Sequence, residues 1–244
     1  MTTTPLYPSY EAVCDELDRR RRIDLGFERI EALLKLLGDP HRSLKIVQIV
    51  GTNGKGTTAI ALASALEAAG KPAGTYLSPH VLSYTERVML RGRYASEEEF
   101  AAAMRKAIKI ADANEIPATQ FELLTAGALA LFRDAGLEWA VLEAGLGARH
   151  DATSAAEPGA VVLTSVGLDH TEYLGDTIEE IAREKLASVR SGTTLILGTD
   201  DPRVVGLARE MVAQVGASLA EHREPEEHRQ TTPGAEKNKA LDSR

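Results

Sequence analysis

Cysteine is almost missing from this sequence: Cys14 is the only one in 244 residues. A lone thiol excludes a disulfide framework and a cysteine-rich zinc site. Its expected place is a half-buried position in an N-terminal helix, where free cysteines usually act as small apolar residues. Excess positive charge is missing too. The net charge is −8, which argues against a general nucleic-acid binder, since those carry a basic face. No apolar run approaches the roughly 20 residues that span a bilayer. The opening "MTTTPLYPSY" is neither basic nor followed by an apolar stretch of signal-peptide type. No membrane and no nucleic-acid partner are expected, and the expected location is cytoplasmic. There is no internal repeat.

What is present is an ordinary soluble composition, 43% hydrophobic, enough for a sizeable core. Strand-like runs fall at 45–50, 73–77, 139–143, 160–166 and 193–197, short and rich in Val, Ile and Leu, as in strands buried on both faces. Helical patterns fall at 9–20, 27–37, 56–69, 97–113, 121–135, 177–190 and 202–215. Ser96 with Glu99, and Thr177 with Glu180, read as capping boxes, and Asp201-Pro202 as an N-cap followed by Pro at the first helical position. The alternation predicts an α/β fold, a mostly parallel sheet flanked by helices. The expected domain is 1–220. Residues 221–244 hold few large apolar side chains and are expected to form a polar, disordered tail.

The most informative stretch is "VQIVGTNGKGTT", 48–59. A buried strand delivers the chain to a glycine-rich turn, from which a helix departs. Glycines allow close backbone approach, and a helix N-terminus offers N–H groups and partial positive charge to an anion. The expected phosphate cradle is Gly51, Thr52, Asn53, Gly54, Lys55, Gly56, Thr57 and Thr58. Its glycine spacing is not that of the common P-loop.

Ligands of open parallel sheets bind at the carboxyl ends of strands. Near such ends lie Ser78-Pro79-His80, Glu143 and Asp169-His170. A nucleoside triphosphate needs Mg²⁺, which prefers carboxylate, hydroxyl and water oxygens, so Glu143 and Ser78 suit one metal. Each also has a plain alternative: a simple turn at Ser78-Pro79, a solvated strand end at Glu143, a local hydrogen bond at His170. Lys185 occupies the apolar stripe Ile178, Ile181, Ala182, Leu186, Val189. It must either snorkel out or be held. Burial lowers a lysine's pKa, and a neutral amine can add carbon dioxide to become a carbamate, an anionic metal ligand.

The segments "GTNGKGTT", "YLSPHVLSYTERV", "FELLTAGALALF", "VLEAGLGARHDATS" and "LDHTEYLGDTIEEIAREK" occur in this order. Together they resemble the folylpolyglutamate synthase / dihydrofolate synthase family of the Mur ligase superfamily, over about residues 25–220. The resemblance implies a P-loop NTPase-like Mur ligase central domain. It also implies an ATP-dependent ligase that joins L-glutamate to a pteroate or folate through an acyl phosphate. By motif, Lys55 and the loop amides would hold ATP, and Ser78 and Glu143 the first Mg²⁺. His170 and a carbamylated Lys185 would serve a second. Pro79, His80, Arg87, Gln120, Phe121, Glu122, Arg149 and Asp151 would contact substrate. Lys55, His170 and Lys185 are the implied catalytic residues.

Three segments depart from the family pattern: Gly147-Ala148-Arg149 for Gly-Gly-Arg, His150 to Ser154 for Leu-Asp-Ala-Thr-Asn, and Leu186-Ala187-Ser188 for Ala-Gly-Ile. Family members continue into a second α/β domain that is not legible here, so a separately encoded C-terminal domain is an expected partner. Two alternatives stay open: an ATP–Mg²⁺-binding module without ligase activity, and another Mur-type amino-acid ligase.

Overall fold

Strand β1, Lys45–Val50, lies at the centre of the molecule, and five of its six residues are buried. In the computed structural model, which describes residues 7–221, it pairs in parallel with β5 (Trp139–Glu143) on one side and β6 (Ala160–Leu163) on the other. Beyond β5 come β2 (Ala73–Tyr76), β3 (Val88–Leu90) and β4 (Arg93–Tyr94). Beyond β6 come β7 (Thr194–Leu197) and β8 (Ser218–Glu221). The order is β4-β3-β2-β5-β1-β6-β7-β8, and only the β2–β3 and β3–β4 pairs are antiparallel. The sheet is therefore mostly parallel, as expected.

Helix α3, Lys55–Ala68, covers β1, β2 and β5 on one face, packing Ala59 and Ala63 on Val47, Ile49 and Val141. The opposite face carries α1 (Tyr10–Arg19), α2 (Glu28–Leu36), α4 (Glu97–Ala113) and α5 (Gln120–Asp134) at one end. At the other end lie α7 (Ile178–Leu186) and α8 (Pro202–Val215). Because side chains alternate along a strand, Ile46 and Val50 join these two clusters while Val47 and Ile49 face α3. α4 and α5 bury Phe100, Met104, Ile108, Leu124 and Phe132 against each other and the sheet.

The expected capping boxes at Ser96/Glu99 and Thr177/Glu180 are present, as is the Asp201 cap. Several boundaries differ. The patterns at 160–166 and 177–190 run past their elements, which end at Leu163 and Leu186. The surplus residues, 164–166 and 187–190, lie in the segments that follow β6 and α7. β3, β4 and the one-turn helix α6 (Thr171–Leu174) carry too few residues for any periodicity to register. β8 includes Glu221, so the ordered unit passes the expected boundary at 220 by one residue, and the rest of the expected tail lies outside the described residues.

Candidate functional site

The phosphate-type loop sits where β1 ends. Gly51 has φ +148, and a Cβ there would come 2.0 Å from Thr164 Oγ1, so only glycine fits. Gly54, at φ +80, starts α3, and no side chain caps the helix. Its first N–H groups are thus left to the loop. The loop is strapped to the segment after β6. Thr164 Oγ1 donates to Asn53 O (2.7 Å), Asn53 N–H donates to Ser165 Oγ (3.0 Å), and Thr52 N–H donates to Ser165 O (2.9 Å). Gly167 N–H donates to Thr52 Oγ1 (3.0 Å). Thr164 and Ser165 escaped the sequence reading because they were absorbed into a strand pattern.

Two lysines converge on one carbonyl. Lys55 Nζ donates to Gly51 O at 3.1 Å and Thr52 O at 3.3 Å, and Lys185 Nζ donates to the same Gly51 O at 3.1 Å. Lys185 is 4% exposed, so the stripe reading holds and the side chain is held inward. Burial first, and the nearby Lys55 charge second, lower its pKa to about 8, with Asp169 opposing.

Glu143 closes β5 beside the same loop, 6% exposed. Its carboxylate accepts Ser78 N–H at 3.0 Å. A Cβ on Gly56 would lie 3.2 Å from Oε2, so the missing side chain at 56 lets the first turn of α3 approach the carboxylate. Burial raises the Glu143 pKa against the pull of Ser78 N–H, Lys55 and Arg87. One carboxylate beside a hydroxyl residue and a phosphate loop suits Mg²⁺, which takes one or two carboxylates and fills the rest with phosphate and water.

Ser78 and Pro79 begin a loop that Glu86 holds rigid: its carboxylate accepts the N–H groups of Val81, Leu82 and Ser83. The buried Arg87 donates from Nε to His80 Nδ1 (2.7 Å), and His80 packs on Tyr84 at 4.2 Å between centroids. Burial and the Arg87 charge lower the His80 pKa. A neutral His80 whose Nδ1 accepts must carry its proton on Nε2. Gln120 is tied to Tyr84 Oη and to Asp18 Oδ1 (3.3 Å), which places it behind the loop.

Alongside lies a cavity of about 300 Å³, lined by Phe121, Glu122, Leu146, Asp151, His170 and Tyr173 among others, with a wall from Arg22 to Leu25. That wall carries no motif and was not foreseen. Glu122 caps α5 through Thr119 N–H (2.7 Å) and pairs with Arg29 at 3.0 Å. Asp151 is buried and accepts four bonds, from the N–H groups of Gly145, Leu146 and Thr153 and from the Thr153 hydroxyl. Arg149 stands apart, paired with Glu184 on α7 at 2.6 Å. Positive φ falls on Gly147 (φ +65) and not on Ala148, so alanine is tolerated where the family has glycine.

His170 is 56% exposed in its side chain, with Asp169 at 3.8 Å, and lines the cavity, whereas Lys185 is bonded to Gly51 O beside the loop. As an ammonium Lys185 has no lone pair for a metal. Among the described residues no group of three or more His, Cys, Asp or Glu could hold a metal ion. No helix among them is long and apolar enough to cross a membrane.

This arrangement has known counterparts. The Mur ligase middle domain matches residues 49–237. The dihydrofolate synthase/folylpolyglutamate synthase of Escherichia coli (strain K12) is 40% identical over 199 residues, covering 82% of this chain and 46% of that protein. The structure of E. coli FolC in complex with DHPP and ADP superposes with a TM-score of 0.80 at 36% identity, over 90% of this chain and 52% of that one. A bifunctional folylpolyglutamate synthase/dihydrofolate synthase with Mn, AMPPNP and L-glutamate bound gives a TM-score of 0.79 at 36% identity, over 90% and 53%. The chain spans about half the length of these relatives. With the glycine loop, the parallel sheet and the matched stretch in agreement, the chain belongs to the Mur ligase family.

Proposed function

We propose that this chain is the nucleotide- and acid-binding half of an ATP-dependent ligase that joins L-glutamate to a pteroate or folate. The observation that carries the reading is the shared sheet edge. The phosphate-type loop, Glu143 and Lys185 lie at the carboxyl ends of β1 and β5, and the cavity with Phe121 and Tyr173 opens beside them. Relatives of this fold bind ADP, DHPP, AMPPNP, Mn and L-glutamate.

In this reading a carboxylate oxygen of the acid attacks the γ-phosphorus, and ADP leaves. The glutamate amine then attacks the acyl carbon, loses a proton, and phosphate departs. Such transfers depend on positioning and charge neutralisation. Lys55 would leave its backbone carbonyls for the β- and γ-phosphates, and the N–H groups of Gly54 to Thr57 would face the same oxygens, whereas the Asn53 N–H, also expected there, is held by Ser165 Oγ. Glu143 and Ser78 would hold Mg²⁺, which supplies charge to the phosphates. Phe121 and Tyr173 present aromatic surface to a planar bicyclic ring, and the His80 Nε2–H is a donor for the acid. Arg87 acts through His80, and Gln120 through Tyr84. Asp151 and Glu122 hold the cavity walls, and Arg149 fixes the loop after β5 to α7.

A neutral fraction of Lys185 would add CO₂, forming an N–C bond and releasing a proton. The carbamate and His170 would then serve a second metal. The acceptor site for glutamate would come from the remaining length of the relatives, in a longer chain or as a separate polypeptide. Cytoplasmic location fits such chemistry.

Titration calorimetry with ATP–Mg²⁺ tests the reading, followed by phosphate release with dihydropteroate and glutamate. Binding that Lys55→Ala abolishes is expected, and a wild-type chain that binds no ATP overturns the proposal. Binding without phosphate release, even after addition of the C-terminal half of a relative, would favour the second reading, a nucleotide-binding module. The half-length match is the observation behind that alternative. Turnover with a different acid would point to another Mur-type ligase.

A further inference from the structure

Gln48 is a polar residue in the middle of the most buried strand, with no exposed surface. It lies between Ile46 and Val50 on the face turned toward the helices, and three residues before Gly51. Its Nε2 donates to Thr153 Oγ1 at 2.7 Å and to Ser154 Oγ at 2.8 Å. Both hydroxyls pass the chain of bonds onward: Thr153 donates to Asp151 Oδ1, and Ser154 donates to Ala148 O at 2.7 Å. Asp151 in turn gathers the N–H groups of Gly145 and Leu146 at 2.9 and 3.1 Å. The amide orientation follows. Turned over, its oxygen would need protons that the two hydroxyls already give to Asp151 and Ala148.

Gln48 Oε1 has no partner among the described residues. An unpaired buried acceptor is unfavourable, and an apolar residue of the same shape would avoid it. The two donated bonds and the unpaired oxygen act in opposite directions on stability, so net stability is a weak reason for glutamine here. Its effect is geometric. The segment after β5 has little regular structure, yet it forms one wall of the cavity. One amide pins that wall to the strand that delivers the phosphate-type loop.

We infer that Gln48 is a positioning residue that fixes the cavity wall relative to the phosphate-type loop, and so sets the distance between bound acid and bound nucleotide. The inference rests on the proposed ligase reading for the identity of the acid. Small misplacements of reacting groups are costly in transfer chemistry. The signal in the sequence was the single polar letter of "KIVQIV", which marks burial but not its partner.

Gln48→Met keeps shape and removes both donated bonds along with the orphan oxygen, so folding is expected to survive. Residue-resolved amide hydrogen exchange should then show Gly145, Leu146 and Thr153 exchanging about tenfold faster, with the β1 amides unchanged. In calorimetry the Kd for pteroate should rise about tenfold while that for ATP–Mg²⁺ stays within about twofold. Thr153→Val should reproduce this pattern and Thr153→Ser should not. Unchanged exchange at all three amides overturns the inference, as does an equal loss of pteroate and ATP affinity, which marks a merely structural role. A wild-type chain that binds no pteroate defeats the ligase reading instead, and the exchange rates still decide the role of Gln48.

Discussion

Replacing Lys185 by methionine should change how stability depends on pH. Burial, together with Lys55, lowers the Lys185 pKa from 10.5 to about 8. Below pH 8 the amine is protonated in both native and unfolded chains, and the native state carries the full penalty of a confined charge. Between about pH 8 and 10.5 the unfolded chain binds the proton and the native one does not. Stability must then rise with pH across that window. At about 1.4 kcal/mol per unit, the rise attributable to this lysine is about 3 kcal/mol.

Lys185→Met removes the titration and, with it, the bond to Gly51 O. Urea unfolding of both proteins at pH 7, 8, 9 and 10, in buffers free of CO₂, isolates the effect as a difference between two curves. The wild type should gain on the variant steadily above pH 8. Parallel curves would refute the claim that Lys185 is buried as an ammonium beside Lys55. Adding bicarbonate near pH 8 should stabilise the wild type alone if the carbamate forms, with ¹³C NMR showing the carbamate carbon.

Glu143→Gln should keep the Ser78 N–H bond yet weaken ATP affinity in Mg²⁺ by about tenfold, about 1.4 kcal/mol, with little change in EDTA; calorimetry in both buffers checks this. Gly51→Ala should destabilise the chain by about 3 kcal/mol, from the φ strain and the clash with Thr164, and chemical denaturation reads it directly. Thr119→Ala removes the cap of α5, where Thr119 Oγ1 accepts Glu122 N–H at 3.3 Å. The expected loss is about 1 kcal/mol, seen as a lower Tm, with ATP affinity unaltered.

The long elements were legible because burial imposes a period. β5 is apolar throughout its middle and β1 is interrupted only by Gln48, and α4 and α8 announce their starts with Ser96 and with Asp201-Pro202. The phosphate-type loop was legible because its function acts through local backbone: glycines, a lysine and a helix start within eight residues. β3, β4 and α6 were not, since strands of three and two residues and a single helical turn carry no period. The fates of Glu122 and Asp151 were also hidden. A carboxylate looks the same in sequence whether it caps a helix, gathers loop amides or faces a ligand.

By itself the sequence determined the alternation of strands and helices, the anion-binding loop and the inward stripe position of Lys185. These follow from interactions between near neighbours in the chain. Only the tertiary structure decided that Lys55 and Lys185 share the Gly51 carbonyl, that Thr164 and Ser165 hold the loop from 111 or more residues away, and that Gln48 reaches the cavity wall. Those contacts depend on which strands lie side by side. β5 and β6 flank β1 because of parallel crossovers, and no local pattern encodes that order.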